Sequence, residues 1–132
     1  MSERWELAPS LADIEALARG ALATIPAEFG RWLRSVPIRV EEFADDETLA
    51  DLGIADPFEL MGLYRGVTMS GRDGGTASAD IDMIFLYRRP ILDYWCDGAS
   101  SLGHVVRHVL IHEVGHHFGL SDADMEQIEG GL

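Results

Sequence analysis

Apolar residues first recur at helical spacing from Leu11 to about Thr24, where Leu11, Ile14, Leu17, Ala18 and Leu22 share one face behind Pro9-Ser10. Pro26 opens a second predicted helix, Ala27 to about Ser35, presenting Phe29, Trp32 and Leu33. The period then drops to two, and Pro37 to Phe43 alternates as a first strand. A short helix is predicted over Asp46 to Leu52, a loop through Asp56-Pro57 and a second strand over Leu60 to Met69. Gly71-Arg72-Asp73-Gly74-Gly75 reads as a turn before a third strand, Ile81 to Tyr87. That strand is almost continuously apolar, as a strand covered on both faces would be. Arg89-Pro90 begins a helix carrying Ile91, Leu92, Tyr94 and Trp95, and Asp97-Gly98-Ala99-Ser100 breaks it. From about Ser101 to Phe118, Leu102, Val105, Val106, Val109, Leu110, Val114 and Phe118 make a broad apolar face, so this helix is expected to be largely buried. Ser121, with Asp124 three residues on, predicts the N-cap of a last short helix to about Glu129.

A length of 132 residues predicts one domain over residues 1–132. No stretch approaches the roughly 18 uninterrupted apolar residues of a membrane span. Met1-Ser2-Glu3-Arg4-Trp5-Glu6 lacks a basic region followed by an apolar run, so no secretory signal is expected. The single cysteine, Cys96, rules out an internal disulfide, fits a reducing cytoplasm and is expected to be a small core residue. A net charge of −13 argues against nucleic acid, which demands a basic stripe, and favours cationic substrates or a basic partner protein. Glu41-Glu42 and Asp45-Asp46-Glu47 are expected to be solvated surface. The glycines at 71–75 lack the Gly-Lys-Ser/Thr tail of a phosphate loop.

The chemistry is concentrated in His112-Glu113-Val114-Gly115-His116-His117-Phe118-Gly119-Leu120-Ser121-Asp122, which reads H-E-x-x-H-x-x-G-x-x-D. On a helix, residues i and i+4 stack on one face, so His112 and His116 can hold one metal ion between them. Glu113 lies about 100° around the helix, beside the metal and placed to act as general base on a water. Gly119 permits the positive φ that ends a helix and turns the chain back, bringing Asp122 round as an oxygen ligand. Three protein ligands leave one tetrahedral position open, as in a catalytic zinc site. Asp124 or Glu126 takes the place of Asp122 if the turn runs differently. His104 and His108 extend the same stripe upward, but one turn rises about 5.4 Å, too far for His108 to share one tetrahedral zinc with both lower histidines. His108 is therefore expected to pack or to support the ligands, His104 to face solvent, and His117 to point away from the metal.

These residues, from Ile111 to Asp122, together with Ile84-Phe85-Leu86-Tyr87-Arg88-Arg89-Pro90-Ile91, resemble the zincin superfamily of metallopeptidases, and more closely its small single-domain bacterial members, the minimal zincins. The resemblance spans about Ile81 to Gln127. It implies an α+β fold with a small mixed sheet packed on the active-site helix, Zn2+ as cofactor, and a metalloendopeptidase acting on peptide or unfolded protein. Peptide bonds would be hydrolysed by a zinc-activated water with Glu113 as general base. In zinc peptidases an edge strand beside this helix commonly binds extended peptide, which points to Ile81–Tyr87 or its neighbour. Tyr87 and His108 are candidate donors to the oxyanion. Larger metzincins usually carry His where Asp122 stands, a methionine turn beneath the metal and a C-terminal subdomain. Ten residues follow Asp122 and Met125 reads as core, so a shallow, open cleft is expected. Two other functions fit parts of the pattern: a zinc-dependent ribonuclease, whose helix has Gly in place of Glu113, and a non-catalytic module in which zinc ties down the last helix.

Overall fold

The computed structural model describes residues 6–26, 36–69, 79–117 and 121–130. Helix α1, Leu11–Leu22, starts at a reciprocal cap in which the Ser10 hydroxyl accepts from the Asp13 amide and the Asp13 carboxylate accepts from the Ser10 amide. Strand β1, Ile38–Glu41, leads to helix α2, Asp46–Leu52, which is capped by Asp45 and closed by Gly53 at φ 70°. No side chain is free of strain at that φ, so a glycine ends this helix. After a single 3-10 turn, Pro57–Glu59, come β2, Gly62–Met69, and β3, Ala79–Tyr87. Helices α3, Arg88–Asp97, α4, Leu102–His117, and α5, Asp122–Gly130, follow. Five helices and a three-stranded mixed sheet among the described residues are the α+β fold expected. The predicted helix over residues 27–35 and the turn over 71–75 lie outside the described residues.

The strand order is β1-β3-β2, with β1 parallel and β2 antiparallel to β3. The apolar strand β3 is therefore central. Its Ile84 and Leu86 are fully buried in the main core, with Ile14 and Ala18 of α1 and Leu102, Val106 and Leu110 of α4. On the opposite face Tyr87 packs with Ala44 and Leu49 in a second, smaller cluster. Side chains alternate across a strand, so both faces of β3 must be covered, which is why its sequence shows so little alternation.

Gly62 sets the distance between sheet and helix. A Cβ there would stand 2.6 Å from Val109 Cγ1 and 3.3 Å from Glu113 Cγ. Only a residue without a side chain lets β2 lie this close to α4. No described helix is long and apolar enough to cross a membrane. Cys96 departs from expectation: it is exposed on α3. In that helix Pro90 and Ile91 take the buried positions, and Cys96 lies six and five residues beyond them, where the helix has turned outward.

Candidate metal and hydrolytic centre

Helix α4 carries His108, His112 and Glu113 along its half-buried border, while Val105, Val106, Val109, Leu110 and Ile111 hold it in the core. The backbone places His116 one turn beyond His112, at the spacing a shared ligand face requires. The side chains of His116 and His117, like Gly119, lie outside what is described. His104 is exposed, as expected.

Glu113 is partly buried beside Gly62, and burial pushes its carboxyl up to about 7. No hydrogen bond or ion pair engages that carboxylate among the described residues. A half-buried carboxyl held near neutral pH has the proton affinity that general-base chemistry uses.

The last helix is brought against α4 by three contacts. Arg107 donates to the carbonyls of Ile128 and Glu129 at 3.2 and 3.5 Å, and to Thr24 Oγ1 at 3.1 Å. Met125 and Ile128 are buried between the helices. Glu129 then spans two histidines, with His108 Nδ1 at 3.1 Å from Oε2 and His112 Nε2 at 2.8 Å from Oε1. The two imidazole rings lie 4.1 Å apart. Burial alone would raise the Glu129 carboxyl, but the hydrogen bonds and charges of His108 and His112 together hold it below its usual range. One donor atom each from His108, His112 and Glu129 falls within 4.8 Å of the others, close enough to surround a cation.

Asp122 is exposed in the first turn of α5. Asp124 accepts from the Ser121 amide while its own amide donates to the Ser121 hydroxyl, completing the predicted cap. Glu126 is exposed. Of the α5 carboxylates, then, Glu129 is the one that meets His112. Sequence reasoning passed over it, although a signal was present: Glu129 follows Met125 by four residues, so it shares the core-facing side of α5. His108 supports Glu129. Tyr87 is 2% exposed and stacked on Phe85, inside the smaller core cluster.

A family profile described as zincin-like metallopeptidase matches residues 33–132. That range takes in every element from β1 to α5. No curated protein matches the chain.

Proposed function

Because the chain belongs to the zincin-like metallopeptidase family, we propose that it is a zinc-dependent endopeptidase whose metal is held by His112, His116 and Asp122 and whose general base is Glu113. The observation that carries the reading is the half-buried Glu113 carboxylate, next to His112 on α4 and without a hydrogen bond or ion pair among the described residues. Neutral imidazoles and carboxylates are the donor set zinc takes, and two histidines one helical turn apart with an aspartate at the start of α5 are of that chemistry. When bound, zinc supplies Lewis acidity toward the scissile carbonyl and makes water nucleophilic near neutral pH.

The chain's own residues do the rest. Glu113 accepts the proton of the attacking water and returns it to the leaving amine. Its burial keeps the carboxyl near the pH at which both transfers proceed. Glu129 fixes the ring of His112, and with it the direction in which that imidazole presents its nitrogen. Extended peptide would lie along β2, because β3 is the central strand and its hydrogen-bonding edges are already used.

Metal content and turnover test this together. Wild type should carry about one zinc per chain and cleave unstructured peptides. Glu113→Gln should keep the metal and lose turnover, and turnover that survived would sink the assignment. The triangle of His108, His112 and Glu129 supports a second reading, in which zinc only staples α5 to α4. In that case His108→Ala would abolish metal binding, while His116→Ala and Asp122→Ala would not.

A further inference from the structure

A cleft of about 710 Å³ opens between the 3-10 turn, the C-terminal half of α3 and the start of α4. Phe58, Tyr94 and Trp95 line its walls, with Phe58 40% and Tyr94 52% exposed. Glu59, Asp93 and Asp97 stand around it, all exposed, and none of its described lining residues is basic. Large aromatic rings left open to solvent beside three carboxylates suit a cation on an apolar stem. A guanidinium can lie over the ring faces while its charge meets the carboxylates.

The position of the cleft ties it to the hydrolytic centre. Its floor includes Val105, and Val105, Val109 and Glu113 follow one another at intervals of four along α4. Eight residues of helix span about 12 Å. An extended peptide covers that distance in about three to four residues. Met61, in the lining, directly precedes Gly62, which lies against both Val109 and Glu113. A peptide following β2 past Gly62 would therefore pass from the Glu113 carboxylate into the cleft.

We propose that this cleft is a specificity subsite for an arginine or lysine side chain three to four residues from the scissile bond of a peptide substrate. The assignment rests on the peptidase reading for the word substrate, but the binding it requires can be measured without cleavage. The net charge of −13 would draw cationic peptides to the whole molecule. The cleft is what selects the side chain.

The test uses the full chain bearing Glu113→Gln and three capped pentapeptides, with arginine, alanine or glutamate at the centre of four alanines. Binding is read by titration calorimetry. The arginine peptide should bind at least tenfold more tightly than the alanine peptide, and the glutamate peptide not at all. Asp93→Asn with Asp97→Asn should remove that preference, as should Tyr94→Ala, whereas Tyr94→Phe should retain it. Glu41→Gln with Glu47→Gln makes the same change in net charge on the far face of the sheet and should leave the preference intact. Equal weakening by the two charge-matched pairs would reduce the effect to overall charge and overturn the subsite. So would equal binding of the arginine and alanine peptides. A wild-type protein that cleaved peptides with no dependence on Asp93 or Tyr94 would also overturn it while leaving the peptidase reading standing. Selective binding without cleavage by the wild type would keep the cleft as a cationic-peptide site and remove the peptidase reading.

Discussion

At the scale of single residues, Glu113 carries a cost that can be measured in the metal-free protein. Its carboxyl titrates near 7 in the fold against an ordinary 4.5, because burial disfavours the charged form. A raised carboxyl pKa means that the folded state holds its proton more tightly than the unfolded chain does. Stability is therefore undiminished below about pH 4.5, falls between 4.5 and 7, and stays lowered above 7. Glu113 is only partly buried, so the full shift is discounted for solvent screening to about 1–2 kcal/mol. Chelator-treated Glu113→Gln should thus be more stable than wild type at pH 8 and nearly equal to it at pH 4.5, as read by urea unfolding. Identical unfolding midpoints at pH 8 would mean that the carboxylate is well solvated. Gly62 is the second residue with a large individual effect. Gly62→Ala must displace Val109 or separate β2 from α4, and should cost about 1–3 kcal/mol. Because Glu113 Cγ is the neighbouring contact, the same change should lower turnover by more than the loss of folded protein explains.

Between elements, the docking of α5 on α4 decides which carboxylate reaches the histidines. Replacing Arg107 with Ala removes donors to two carbonyls at the end of α5 and to Thr24, and should cost about 1–3 kcal/mol. Glu129→Gln leaves the fold in place but replaces a charged partner of His112 by a neutral one, and should weaken zinc binding by about 10–100-fold. An unchanged affinity in a chelator competition would mean that Glu129 has no influence on the metal. The elements themselves were largely legible beforehand. Strong local signals give α1, α2, the strands and the Ser121–Asp124 cap: a reciprocal cap, a glycine after the last turn, and hydrophobic period. The partnership of Glu129 with His108 and His112 was not, because it joins residues 17 and 21 positions apart through an interhelical angle that no local pattern encodes. Cys96 was misread for a related reason: its small size suits a core, but its exposure depends on which turn of α3 faces the sheet. His112, Glu113 and His116 stand out as candidates in the sequence because the pattern that marks them is local, one helical turn long.

For the whole molecule, zinc binding and folding should be one equilibrium. The histidines lie on a helix anchored in the main core, while the nearby carboxylates belong to α5, which is held mainly by Met125, Ile128 and Arg107. A metal bridging the two helices binds the folded chain and has no assembled site in the unfolded one, so its binding energy adds to stability. At a hundredfold excess over the dissociation constant the gain is about 2.7 kcal/mol. Thermal unfolding of chelator-treated protein should accordingly shift upward on zinc addition, by several degrees for a domain of this size. The increment should vanish in His112→Ala under either reading of the site, since both share that ligand. It should vanish in His116→Ala only if the metal sits at the position proposed for catalysis. A wild type that unfolded at the same temperature with and without zinc would leave the two helices joined by packing and hydrogen bonds alone. Neither reading of the metal site would then stand.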